Sequence, residues 1–392
     1  MGGESHKEKG GHPRLWVGEG GRRRPFMRGI MIHSLMARGV PFEEADRAAN
    51  QIRDQLRGRR EVTKPELLAE LRKLLGDAPF QGEHNVPVPV DIVVKGNGSG
   101  QPFSKGVLSQ SLLAAAIDPN DAFDVARQIE RELLRRRLPE IDRVELRVLA
   151  YEMLSRTNGP TAAGRYLVWR EHAYADRPVI ILLGGAPGTG KTSLALEVAH
   201  RLGIGRVLSS DSIRQIMRIM LSPDLAPAIH GSSYDAHTRL PPGTLGSDPV
   251  IEGFRAQTAT VSVGIRASMD RAVAENASTI LDGVSIVPGL LDLDAYEELA
   301  DVIFLLVATL DTEAFANRFA SRAEGQTHRA AHRYVENLDG ILRIQDYLLD
   351  AADRFGVPIV DNDSFDRAVL LIIRHVTETL RKRSGVDPED LL

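Results

Sequence analysis

Residues 179–202 read VIILLGGAPGTGKTSLALEVAHRL, and this stretch decides the fold. Five apolar residues, Val179 to Leu183, predict a strand buried on both faces, since a half-exposed strand would alternate with polar residues. The chain then breaks at Gly184 and Gly185 and resumes as a helix after Gly190. From Gly185 the residues fit G-x-x-x-x-G-K-[ST], with the strand before it and the helix after it that the pattern requires.

Such a loop holds a polyanion because consecutive backbone N–H groups come within reach of phosphate oxygens, an approach that β-carbons would obstruct. The helix that follows adds unpaired N–H groups and the positive end of its dipole. The predicted nucleotide-binding residues are Gly185, Ala186, Pro187, Gly188, Thr189, Gly190, Lys191, Thr192 and Ser193. Lys191 would reach the β- and γ-phosphates and Thr192 would offer its hydroxyl to Mg²⁺, so ATP and Mg²⁺ are the expected cofactors.

The chain has 392 residues, enough for two or three domains at roughly 150 residues each. Its 43% hydrophobic and 26% charged residues are ordinary for a globular protein. A net charge of -4 argues against nucleic acid or a membrane surface as partner. With no cysteine, the sequence excludes disulfides, thiolate catalysis and cysteine-ligated zinc. No apolar run suits a bilayer span or secretion, so a cytoplasmic protein is expected.

Residues 1–14 are polar and glycine-rich and read as a disordered tail. From Leu15 an internal repeat begins. Pro25-Phe26 matches Pro102-Phe103, Gly29 matches Gly106, Ser34-Leu35 matches Ser111-Leu112, and Ala49, Gln51 and Ile52 match Ala126, Gln128 and Ile129, all at an offset of 77 residues. A two-residue shift then aligns Glu66-Leu67 with Glu145-Leu146. Each copy predicts a short strand and turn, a first helix with apolar residues such as Ile30, Leu35 and Met36, a second around Ile52 and Leu56, and a third over 67–75. Both copies resemble the ATP-cone, a small helical module known for sensing nucleotides, through the turn followed by Pro-Phe-x-[basic]-Gly and an amphipathic helix. Where that family carries a Lys-Arg pair after the first strand, this chain has Gly18-Glu19 and Lys95-Gly96. The two modules are therefore expected to be structural or substrate-handling elements. The expected organisation is a tail at 1–14, cone-like domains at 15–76 and 92–170 joined by a linker at 77–91, a P-loop domain at 171–382 and a tail at 383–392.

Further strands are predicted at 206–210, 279–281, 302–307 and 358–360, alternating with helical patterns. The expected fold class is α/β, a P-loop-type parallel sheet covered by helices and preceded by two small mainly helical domains. Ligands of such sheets bind beyond the carboxyl ends of the strands. Asp211 and Arg214 follow the second strand one helical turn apart; the aspartate would accept or orient an acceptor's proton and the arginine would fork onto an anion. The competing reading of Asp211 is a helix N-cap. Asp282 ends the third strand and would hold Mg²⁺ or touch the acceptor, against the plainer reading of an Asp-Gly turn. Either aspartate could be the base. Beyond the fourth strand, Arg318 and Arg322, and then Arg329 and Arg333, are spaced four apart on either side of Gly325, as in a lid that closes arginines over phosphate. Arg318 and Arg322 are expected to be catalytic, and Arg329 and Arg333 to bind substrate.

From about Ile92 to Val376 the chain resembles the 2-phosphoglycerate kinase family. The most specific pieces are GTGKTSLALEVAHRLGI from Gly188, SSDSIRQIMR from Ser209, SSY at Ser232, GVSIVPG from Gly283 and RIQDYLLDAADRFGVPIVDN from Arg343. Relatives tend to carry Glu-Gly-x-His before the Pro-Gly, where this chain has Asp282-Gly283-Val284-Ser285. The resemblance implies a phosphotransferase that passes the γ-phosphoryl group of ATP to a phosphorylated hydroxy acid, 2-phosphoglycerate, giving 2,3-bisphosphoglycerate. The alternatives are a kinase for another small acceptor and a nucleotide-sensing regulatory ATPase. The oligomeric state is open, self-association through the cone-like domains being one option.

Overall fold

A computed structural model describes residues 15–80 apart from 20–21, 37, 39, 57–58, 60 and 78–79, residues 92–311 apart from 97–99, 137, 173–174, 242 and 244–245, residue 315, and residues 336–384. The expected tail at 1–14 and most of the expected linker lie outside the described residues. The chain forms two compact units, Met1–Asp91 and Ile92–Leu392.

In the first unit, strand β1 (Trp16–Glu19) pairs antiparallel with β2 (Arg22–Pro25) and parallel with β3 (Glu61–Thr63). Helices α1 (Arg28–Met36), α2 (Phe42–Gln55) and α3 (Lys64–Leu75) complete it. Thr63 caps α3 in a capping box with Glu66, each satisfying a backbone N–H of the other. Met31, Ile32 and Leu35 form the buried stripe of α1 with Ile52 and Leu71. Ile30, at 65% exposure, and Met36 point outward instead of joining it, because the turn of 3.6 residues that buries 31, 32 and 35 carries 30 and 36 off that face.

The second unit opens with the same motif. Strand β4 (Val93–Lys95) pairs antiparallel with β5 (Gln101–Pro102) and parallel with β6 (Glu140–Asp142), followed by α4 (Lys105–Leu112), α5 (Pro119–Arg136) and α6 (Arg143–Asn158). The register repeats residue for residue. Trp16 faces Pro25 as Val93 faces Pro102, and the capping box recurs at Asp142 and Glu145. Helix α7 (Pro160–His172) then leads into the sheet.

That sheet has the order β11-β10-β7-β9-β8 and every pairing in it is parallel. Its strands are β7 (Val179–Gly184), β8 (Val207–Ser209), β9 (Thr279–Gly283), β10 (Asp301–Ala308) and β11 (Ile359–Asp361). Strand β7 is buried throughout, with alternate residues serving opposite faces. Val179, Ile181 and Leu183 meet α7, α8 (Lys191–Leu202) and α12 (Phe365–Ser384). Ile180 and Leu182 meet the other face, where α10 (Pro249–Ala274) supplies Val261, Ile265 and Met269. Helices α9 (Ser210–Met220) and α11 (Leu338–Arg354) complete the cover. Among the described residues, no helix is long and apolar enough to cross a membrane.

Candidate active site

The central strand β7 delivers residues 185–190 to the carboxyl edge of the sheet, between β10 and β9, and α8 starts at Lys191. The loop closes on itself, since the Lys191 ammonium donates to the Ala186 carbonyl at 2.8 Å and the Thr189 hydroxyl donates to the same oxygen at 3.0 Å. From the far side, the Asn362 amide donates to the Thr189 carbonyl at 2.8 Å. Gly190, at φ +85°, is needed there twice over: the left-handed backbone disfavours any side chain, and a β-carbon would stand 2.5 Å from Asn362 Nδ2. Thr192 and Ser193 lie in the exposed first turn of α8.

Asp282 stands on β9 opposite Leu183 and Ser209 and is 1% exposed. The Thr192 hydroxyl donates to its Oδ2 at 2.6 Å, while its Oδ1 has no hydrogen-bond partner among the described residues. Burial pushes this carboxyl above the usual aspartate range. The Thr192 hydrogen bond and the Lys191 charge pull the other way, and the negative charge of Asp211 adds to the rise. A buried carboxylate with one oxygen uncommitted beside the loop threonine is a donor pair suited to a hard cation. It is anchored in a strand, beyond what an Asp-Gly turn would require. Gly283, the next residue, has no room for a β-carbon because Ser210 packs onto it.

Asp211 lies one residue into α9 and is exposed. The cap of that helix is Ser209, whose hydroxyl accepts from the Asp211 N–H at 3.2 Å, so the Asp211 carboxylate is not used as a cap. Instead it pairs with Arg214 at 3.3 Å, one turn on. Arg214 in turn donates from Nη1 to the Gly231 carbonyl at 2.5 Å. Two pairs therefore stand at the sheet edge, Thr192 with Asp282 beside Lys191, and Asp211 with Arg214 just beyond Ser209, the residue facing Asp282. Arg318, Arg322, Arg329 and Arg333 lie outside the described residues.

Asn362 and Ser210 enter this site without having been singled out from sequence. The available signal for Asn362 was positional, a polar residue directly beyond an apolar strand; Ser210 is a helix-start serine like many others, distinguished only by its contact with Gly283.

An ATP cone domain model matches residues 91–173. A 2-phosphoglycerate kinase from Pyrococcus horikoshii is 35% identical over 76% of this chain and 98% of its own length. One from Methanothermobacter thermautotrophicus is 38% identical over 74% of this chain and 96% of its own. A crystallised protein from Thermus thermophilus covers 53% of this chain at 20% identity and a TM-score of 0.30, too slight a likeness to bear on fold or chemistry.

Proposed function

The chain belongs to the 2-phosphoglycerate kinase family, and from that premise we propose that it transfers the γ-phosphoryl group of ATP to the free hydroxyl of 2-phosphoglycerate. The observation that carries the reading is Asp282, buried at the sheet edge and bonded by the loop residue Thr192, with the Asp211–Arg214 pair just beyond Ser209, the residue that faces it. Nucleotide and acceptor subsites then meet at one edge of the sheet.

The loop amides and Lys191 hold the β- and γ-phosphates. Thr192 and Asp282 would hold Mg²⁺, which would supply charge neutralisation on the phosphates. Asp211 is solvent-accessible and aligned by Arg214, which suits it to take the acceptor's hydroxyl proton. As that oxygen bonds to the γ-phosphorus, the bond from phosphorus to the bridging oxygen breaks and ADP leaves. Lys191 stabilises the charge spread over the transferring group, while Arg214 binds the acceptor. In this reading Arg318 and Arg322 add to the stabilisation of the transferring group, and Arg329 and Arg333 to the binding of the acceptor. A phosphorylated hydroxy acid is the small-molecule partner of this reading, and the cytoplasm its compartment.

The test is ADP release from ATP and Mg²⁺ with and without 2-phosphoglycerate, with Lys191→Ala as the blank. Acceptor-dependent release lost in the variant is expected. Release that ignores 2-phosphoglycerate in the unaltered protein would sink the proposal.

A further inference from the structure

Arg214 lines a polar cavity of about 450 Å³ whose walls are α9 and the segment 230–239. Arg218, one turn further along α9, lines it too, as do Ser232, Tyr234 and Arg239. Its carboxylates are Asp235 and Glu336. Asp235 is committed to the loop, accepting the Ser232 N–H. Gln257, fully buried on α10, holds that loop in place by donating to the carbonyls of Ala228 at 2.7 Å and Gly231 at 3.1 Å.

Two features of the arginines point to a missing anion. Each guanidinium is fixed through Nη1, Arg214 to Gly231 and Arg218 to the Gln215 side chain at 3.2 Å. Each also has a buried Nε without a hydrogen-bond partner among the described residues. A buried cationic donor left unpaired is costly, and the two arginines, at i and i+4 on one helix, line the same cavity. The edge of a guanidinium that carries Nε matches two oxygens of a phosphate. Arg214 is divided between Asp211 and the cavity, whereas Arg218 has no carboxylate partner among the described residues.

We infer that Arg218 is a specificity-determining residue, gripping with Arg214 the phosphate the acceptor already carries, so that phosphorylated acids are preferred over their unphosphorylated counterparts. This rests on the kinase reading above. It places the acceptor's existing phosphate on the second turn of α9 and its hydroxyl near Asp211 on the first.

The experiment compares kcat/KM for 2-phosphoglycerate and for glycerate in the unaltered protein, Arg218→Gln and Arg218→Lys, with ATP affinity measured alongside. In Arg218→Gln the KM for 2-phosphoglycerate should rise by roughly tenfold to a hundredfold, the effect of one charged hydrogen-bonding group. Turnover of glycerate and ATP affinity should hold, so the preference for the phosphorylated acid collapses. Arg218→Lys, which keeps the charge and loses the fork, should fall between and covers the case in which glutamine disturbs folding. A preference unchanged in both variants overturns the assignment of Arg218 while leaving the kinase reading standing. An unaltered protein that turns over both acids equally likewise overturns the inference and leaves the kinase reading standing, and one that turns over neither overturns the two together.

Discussion

The two cone-like repeats have the same strand register and the same capping box, and both bury matching residues, Leu35 and Ile52 in the first and Leu112 and Ile129 in the second, yet the second also contributes to the core of the kinase sheet. Met31, Ile32, Leu35, Ile52 and Leu71 pack among themselves in Met1–Asp91. In the second repeat, Ala114 and Ala116 beyond α4, and Val168 and Trp169 on α7, lie in one apolar cluster with Leu194, Val198 and Leu202 of the P-loop helix and Ile372, Ile373 and Val376 of α12. Trp169 also donates its indole N–H to the Leu202 carbonyl at 2.9 Å. The cavities of the repeats diverge accordingly. Both are lined at matching positions by Val17 or Val94, Phe26 or Phe103, and Ser34 or Ser111. In the first, of about 530 Å³, Leu68 and Phe80 complete the wall beside Lys64; in the second, of about 330 Å³, Arg143 stands at the place of Lys64 and Arg147 at that of Leu68, and Tyr166 and Arg170 of α7 close the wall. A repeat can thus keep its backbone while its packing partners decide what it is part of.

Three experiments would break or sharpen that contrast. The largest effect is expected from Trp169→Ala, which leaves a cavity in the shared core and costs about 3–5 kcal/mol. It should lower the temperature at which 2-phosphoglycerate-dependent turnover is lost; an unmoved inactivation curve would mean that the second repeat and the kinase sheet do not unfold together. Next comes a matched pair, Leu35→Ala and Leu112→Ala, at the same repeat position and both buried. Each should cost roughly 2–5 kcal/mol. Calorimetry should show Leu112→Ala moving the transition that abolishes turnover, and Leu35→Ala moving only the other; a single transition shifted by both would erase the distinction.

The smallest effect concerns acid stability of the first repeat. The Glu66 carboxyl is held below its ordinary value of 4.5 chiefly by the Thr63 backbone N–H, and then by the Thr63 hydroxyl. A depressed folded-state value means the stabilisation is complete above about 4.5 and disappears as pH falls through the lowered value. Melting of the first unit followed through that range should therefore show a shallower pH dependence in Glu66→Gln than in the unaltered protein. Identical slopes would count against the capping box as an acid-sensitive element.

The five strands of the parallel sheet were legible because each is a short apolar run ending at a polar residue, and their predicted limits fall within one or two residues of those observed. The repeat was legible because its offset of 77 preserves Pro-Phe and Ser-Leu pairs that are structurally equivalent. Among the candidate site residues, Lys191 and Thr192 were read from the glycine-loop motif, and Asp282, Asp211 and Arg214 by looking just past strand ends. Arg218 escaped that rule because its surroundings come from residues 230–239, a run of short turns with no periodicity to read. Asn362 satisfies the rule by position, directly beyond β11, but nothing in the sequence sets it apart, because its partner, Thr189, is distant in the chain and only the sheet order brings β11 near the loop. The outward-facing Ile30 and Met36 mark a different limit, since a helix with apolar residues on several sides does not announce which of them its neighbours will cover.

The core shared between α7 and α12 also has a consequence for synthesis. Chains emerge from the ribosome amino end first, and domains generally fold as they become complete. The first unit holds its own core and can settle early. The second repeat follows with Val168 and Trp169 uncovered, since their partners on α8 come later and those on α12 later still. Until Ile372, Ile373 and Val376 arrive, the growing chain displays an apolar stripe on α7, the kind of transient surface that chaperones bind and that stalled fragments aggregate through.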